Sequence, residues 1–214
     1  MNTAPGRVVY LNGVAGAGKS TLAAALQAHW SVPLVLIGLD QLSSTIPRRF
    51  LGDGQDADLG ARWQRDADGR LEGIVAGPYG ERLLRGIPRV AAALARAGND
   101  VAVDDVLLYA WRHADVAAAL SGIEAHMIEV WCPAEVARER LEARGSGSSA
   151  ARAELFHAAV YDGGPVDLRI DTCALTQDAC LAALLAYLSG GAPPSALALR
   201  RVTAVVNGAL ATRR

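Results

Sequence analysis

Residues 13–20 read Gly-Val-Ala-Gly-Ala-Gly-Lys-Ser, and this octapeptide constrains the chain more than any other feature. Its glycines allow the backbone to curl until successive N–H groups point inward, a shape that suits an anion and little else. The run Val8-Val9-Tyr10-Leu11 before it has the composition of a buried strand, and Ser20 to Trp30 after it has the alanine and leucine spacing of a helix. Strand, glycine loop and helix in that order satisfy the context that the pattern G-x-x-x-x-G-K-[ST] requires of a phosphate-binding loop. A glycine-rich turn with a chance lysine would not need those flanks. Gly13, Val14, Ala15, Gly16, Ala17, Gly18, Lys19, Ser20 and Thr21 are therefore the expected contacts of a nucleotide, ATP. Lys19 reaches its β- and γ-phosphates, and the Ser20 hydroxyl ligates Mg²⁺.

The rest of the chain alternates strand and helix. Residues 33–39 form a continuous apolar run ending at Asp40, as expected of a parallel strand covered on both faces. Residues 41–80 are irregular, rich in glycine and aspartate, and read as a helical start plus a hairpin-like excursion turning at Asp66-Ala67-Asp68-Gly69. Further helices are expected over 81–97, 112–120, from Pro133 to about 144, 150–160 and 177–188. Further strands are expected over 101–103, 125–131 and 166–170. The fold class that follows is α/β: a three-layer α/β/α arrangement of the P-loop NTPase type, with a mostly parallel sheet and a helical lid. One domain spans 1–189, with its lid at about 135–155. Gly145-Ser146-Gly147-Ser148-Ser149 reads as a flexible break inside the lid. Residues 190–214 read as a linker and tail, either a short amphipathic helix or chain without fixed structure.

Composition narrows the partners. Formal net charge is −1, from 21 basic and 22 acidic residues, a balance that gives no footing for nucleic acid or a membrane surface. The apolar runs are strand-sized, too short to span a bilayer. Three cysteines without metal-like spacing read as reduced thiols of a cytoplasmic protein, and no basic-then-apolar leader is visible. The four histidines, His29, His113, His126 and His157, lack ligand spacing and read as structural or surface positions.

Three features bear on chemistry beyond phosphate binding. Asp40 ends the second strand, where a carboxylate would face the crevice at the carboxyl ends of the sheet and accept a hydroxyl proton; helix capping is the equal alternative. Asp104-Asp105 follows the strand at 101–103, and an acidic residue there holds the Mg²⁺ shell in P-loop proteins. Asp104, first after the apolar run, is the candidate metal residue beside Ser20. Arg138, Arg140, Arg144 and Arg152 flank the lid break, where a guanidinium can neutralise the transferring phosphoryl. Interleaved Glu135, Glu139 and Glu142 allow the plainer reading of a solvated, ion-paired helix face.

Taken together, these residues resemble the chloramphenicol phosphotransferase-like proteins, P-loop kinases of antibiotic or related hydroxyls. The resemblance is spread over most of residues 7–188. It rests on Leu11-Asn12-Gly13, the loop at Ala17-Gly18-Lys19-Ser20, Gly38-Leu39-Asp40-Gln41-Leu42, and Asp66-Ala67-Asp68-Gly69. It continues through Val103-Asp104-Asp105-Val106, Arg140, Ala143-Arg144-Gly145, and Ile170-Asp171-Thr172. It implies a base at Asp40, a nucleotide held by residues 13–21, and a lid carrying the catalytic arginines, Arg140 and Arg144. Ser146 and Gly147 stand where the resemblance calls for a basic residue after the lid glycine, and Arg152 is the candidate substitute.

The function expected is therefore ATP-dependent transfer of a phosphoryl group to a hydroxyl of a small molecule, with a homo-oligomer left open. Two alternatives remain at this stage. A kinase of an anionic primary metabolite would recruit Arg48-Arg49, Arg62 and Arg82. A non-catalytic nucleotide-binding module would have no use for Asp40.

Overall fold

The computed structural model describes residues 4–191 and 193–197, and the side chains of all of these except 147–149. In chain order the first elements are β1 (Val8–Asn12), α1 (Lys19–His29), β2 (Leu34–Gly38), α2 (Leu39–Ser43), a single 3₁₀ turn (Arg48–Phe50) and β3 (Leu51–Gly52). Next come β4 (Ala61–Arg65), β5 (Leu71–Ala76), α3 (Pro78–Arg96), β6 (Asp100–Asp105), α4 (Ala110–Ala119) and β7 (Ala125–Trp131). The last are α5 (Ala134–Ala143), α6 (Gly147–Tyr161), β8 (Leu168–Asp171) and α7 (Gln177–Ser189).

Five strands form one parallel sheet in the order β2-β6-β1-β7-β8. Its strands alternate between two cores because successive side chains of a pleated strand point to opposite faces. Val9, Leu11, Ala102, Ile128 and Val130 face a core built with α1, the lid helices and α7. Val8, Tyr10, Val101, Val103 and Met127 face a second core built with α3 and α4. Both faces are covered, which is why the central strands read as unbroken apolar runs. The expected three-layer α/β/α architecture is the one observed.

The excursion in residues 41–80 is a small second sheet, ordered β3-β4-β5, whose β4 and β5 form an antiparallel hairpin. Its turn is built by Asp66, whose carboxylate accepts from the N–H groups of Asp68 and Arg70 at 2.9 and 2.8 Å. Gly69 supplies the positive φ, 80°, that closes it.

Two boundaries differ from the expectation in ways that matter for the site. β2 stops at Gly38, so Asp40 lies inside the first turn of α2 and not on the strand. The lid break is also shorter than the glycine-serine run suggests. Gly145 takes φ 70°, its N–H bonds Glu142 and that of Ser146 bonds Leu141, which closes α5 as a left-handed C-cap. The Ala150 N–H then bonds back to the Ser146 carbonyl, within α6, which starts at Gly147. The chain therefore reverses in three residues.

Of the tail, Ala196 and Leu197 are buried in the second core, and the N–H groups of Ser195 and Ala196 donate to Asp167 at 2.8 and 2.9 Å. The expectation for 198–214 falls outside the described residues. Among the described residues no helix is long and apolar enough to cross a membrane.

Beneath the end of β6 lies a fully enclosed ion pair. Arg112 donates two bonds to Asp105, at 2.9 and 2.7 Å, with the side chains 1% and 0% exposed. The Tyr10 hydroxyl also donates to Asp105, and burial together with that carboxylate raises the tyrosine pKa. Arg112→Met should destabilise the protein by about 3–5 kcal/mol in urea unfolding, because it strands a buried carboxylate. Adding Asp105→Asn should recover much of that loss; no recovery would mean that the charge is not what the pair is for.

Candidate active site

The phosphate loop leaves β1 where no side chain would fit: a Cβ at Gly13 would lie 2.3 Å from the Val130 carbonyl oxygen on β7. Gly16 and Gly18 then take φ 82° and 98°, the left-handed turns that only glycine adopts cheaply, and α1 begins at Lys19. The Lys19 ammonium, 7% exposed, donates to the Val14 carbonyl at 3.0 Å and lies 3.8 Å from Asp104. Burial lowers its pKa, and the carboxylates of Asp104, Asp40 and Asp105 push it back up.

Strand register brings the acidic groups to the same edge. Leu11 pairs with Asp104 across β1 and β6, and Gly38 pairs with Asp104 across β6 and β2. The Ser20 hydroxyl donates to Asp104 at 2.5 Å. These are two hard oxygen donors side by side, a donor set that suits Mg²⁺ completed by phosphate oxygens and water. Asp105 is committed to Arg112 and Tyr10, so of the two adjacent aspartates only Asp104 meets the phosphate loop's serine and lysine. Among the described residues there is no cluster of three or more His, Cys, Asp or Glu residues that could cage a metal unaided.

Asp40 is exposed, and α2 takes Gly38 as its N-cap without any side-chain cap bond. The capping alternative for Asp40 is thus not the arrangement adopted. Its carboxylate raises the pKa of Lys19 on the loop and of Arg152 on α6. Burial is the larger influence on Arg152 and lowers its pKa overall. The Arg152 guanidinium lies 5.8 Å from the Trp63 ring centre on the hairpin, so α6 meets the hairpin there.

The other lid arginines divide. Arg138 is paired with Glu142 one turn on, at 2.9 Å, the solvated face of the plainer reading. Arg140 donates to the Gly16 carbonyl at 3.3 Å, to the Thr172 hydroxyl at 2.9 Å and to the Thr172 carbonyl at 2.8 Å. Arg144 is exposed at the end of α5. Both Arg140 and Arg144 line an open cleft of about 320 Å³ with Gly16, Gly18, Thr21 and Thr172. Since β6 and β2 lie on one side of β1 and β7 and β8 on the other, the loop separates this cleft from Asp104 and Asp40.

Thr172, which ties Arg140 to the loop by donating to the Ala17 carbonyl at 2.8 Å, was not singled out as a site residue from sequence. Its place directly after β8, at the carboxyl edge of the sheet, was the available signal. The aromatic rings of this region lie in separate contacts. Phe50 meets Tyr79 edge-on at 6.5 Å, Trp111 stacks on Tyr109 at 6.1 Å, and Trp63 lies under Arg152.

Residues 6–189 match the family described as chloramphenicol phosphotransferase-like protein. The chain belongs to that family. Solved structures place the same fold among P-loop kinases. An APS kinase from Mycobacterium tuberculosis, in complex with AMPPNP and APS, is 20% identical over 87% of this chain and 99% of its own, with TM-score 0.63. A sugar kinase from a Janibacter species is 18% identical over 86% and 95%, with TM-score 0.59. A gluconokinase from Sinorhizobium meliloti is 19% identical over 88% and 94%, with TM-score 0.54.

In this chloramphenicol phosphotransferase-like chain the loop and lid are fitted against each other at Gly16, where a Cβ would lie 2.5 Å from the Ala137 carbonyl of α5. Gly16→Ala should therefore cost about 2–4 kcal/mol in thermal unfolding and weaken nucleotide binding. Gly145→Ala, at φ 70° but in open space, should cost only about 1–2 kcal/mol. Equal losses at the two positions would show that the loop–lid contact does not matter.

Proposed function

We propose that the protein transfers the γ-phosphoryl group of ATP to a hydroxyl of a small molecule, an antibiotic or related secondary metabolite, with Asp40 as the base. The observation that carries this reading is the position of the Asp40 carboxylate. It lies within electrostatic reach of Lys19 on one side and Arg152 on the other, and no cap bond occupies it.

In this scheme the loop N–H groups cradle the phosphates and Lys19 exchanges its bond to the Val14 carbonyl for one to a phosphate oxygen. Ser20 and Asp104 would hold Mg²⁺, which would supply positive charge to neutralise the phosphates. The acceptor hydroxyl enters between Asp40 and the lid. As its oxygen bonds to the γ-phosphorus, the bond to the bridging β–γ oxygen breaks, the hydroxyl proton passes to Asp40, and ADP leaves. Arg140 and Arg144 line the nucleotide side, where their positive charge favours the anion.

The anionic-acceptor alternative loses some ground in residues 48–82. Of the four arginines expected to recruit an anion, Arg49 pairs with Asp56 at 3.4 Å and Arg62 pairs with Asp58, so part of that positive charge is already compensated.

Acceptor-dependent ADP release should appear with hydroxylated antibiotics rather than with phosphorylated or carboxylated metabolites; stimulation by the anionic set alone would reverse the assignment. Asp40→Asn should lower turnover by roughly 10²–10⁴-fold while Mg²⁺–ATP affinity stays within a few fold. Turnover near that of the parent protein would remove Asp40 as the base. Lys19→Ala and Asp104→Asn should each abolish measurable turnover, read in the same assay.

A further inference from the structure

Val14, the second residue of the phosphate loop, is pinned on both sides. Its carbonyl accepts from Lys19 at 3.0 Å, and its N–H donates to the Tyr161 hydroxyl at 3.2 Å. Tyr161 is the last residue of α6, 147 positions away in sequence. The same hydroxyl donates to the Val130 carbonyl of β7 at 2.8 Å, the oxygen against which Gly13 is pressed. A short relay results, from Val130 through Tyr161 to Val14 and on to Lys19. All four residues are buried.

The last turn of α6 is held in place independently of that relay. The Asn12 side-chain amide donates to the Val160 carbonyl at 3.1 Å, and its oxygen accepts from the Leu107 N–H at 2.9 Å. His157, one turn before Tyr161, packs on its ring at 4.7 Å and bonds the Cys132 carbonyl at 2.8 Å. A phenol fixed this firmly satisfies a loop amide that would otherwise be buried without a partner, and it holds the loop in its binding shape before any phosphate arrives.

We propose that Tyr161 is a positioning residue for nucleotide binding: its hydroxyl sets the entry of the phosphate loop by joining Val14 to Val130, so that the end of the lid and the loop move as one body. The inference rests on the nucleotide-binding reading above and extends it to a residue outside the loop. Replacing the phenol by a phenyl ring removes one acceptor for Val14 and one donor for Val130 and leaves the packing in place.

The test is calorimetric titration with Mg²⁺–AMPPNP, at a temperature where circular dichroism shows both proteins fully folded. Tyr161→Phe should weaken binding by about five- to tenfold relative to the parent. A variant with a lowered melting temperature but an affinity within twofold of the parent would overturn the inference and reduce Tyr161 to a structural role. A parent protein that does not bind would take down the proposed function itself, and this inference with it. Should the variant not fold, amide exchange of the parent decides: the Val14 N–H must exchange slowly and together with the last turn of α6. Exchange at the rate of an open loop would overturn the inference.

Discussion

The structure turns on a steric constraint at the end of β1. Gly13 sits against the Val130 carbonyl with no room for a Cβ, so the chain must leave the sheet there, close to its neighbour β7. That departure opens the glycine loop, and it places Lys19 at the start of α1, pointed back at the loop. Parallel pairing does the rest. With β1 central and β6 and β7 on either side, every neighbouring strand also ends at this edge, and the residues just past each end converge on the loop. Asp104, near the end of β6, and Thr172, just after β8, contact the loop there, and Asp40 on α2 acts on Lys19 through its charge.

The pleat of β6 explains how two adjacent aspartates acquire unrelated roles. Ala102 and Asp104 share the face that carries α1, so Asp104 meets Ser20 and Lys19. Val103 and Asp105 share the other face, so Asp105 is driven into the second core. There it is tolerable only because Arg112 and Tyr10 satisfy it. One carboxylate remains partly accessible beside the phosphate loop, and the other is sealed under the strand end. Neither role survives a shift of one residue in register, since such a slip would exchange the two faces.

Much of this was legible in sequence because it rests on local signals. The octapeptide specifies its own loop. The apolar runs specify a covered parallel sheet, and Asp66 with Gly69 specifies the hairpin turn. Preferring Asp104 to Asp105 rests, in sequence, on its coming first after the apolar run, and that position does not tell which face α1 covers. What escaped was long-range. Nothing local to Tyr161 announces that its hydroxyl will meet Val14, and nothing local to Thr172 announces Arg140, because both contacts exist only after β7 and β8 have taken their places. The lid break misled for a related reason. A run of glycine and serine suggests freedom, yet Gly145 alone is enough to reverse the chain, and the remaining residues are free to start a helix.

The division of labour along α6 follows from its length. From Arg152 to Tyr161 is nine residues, roughly 14 Å of rigid helix, which is enough to span from the acceptor mouth to the root of the phosphate loop. One end touches Trp63 and feels Asp40; the other fixes Val14. A shift of α6 would strain the hydroxyl contact at this end, unless the loop follows. In the function proposed above, the acceptor and nucleotide sites would be linked through this one helix. The size of that linkage is bounded by the few hydrogen bonds at the pivot, on the order of 1–3 kcal/mol.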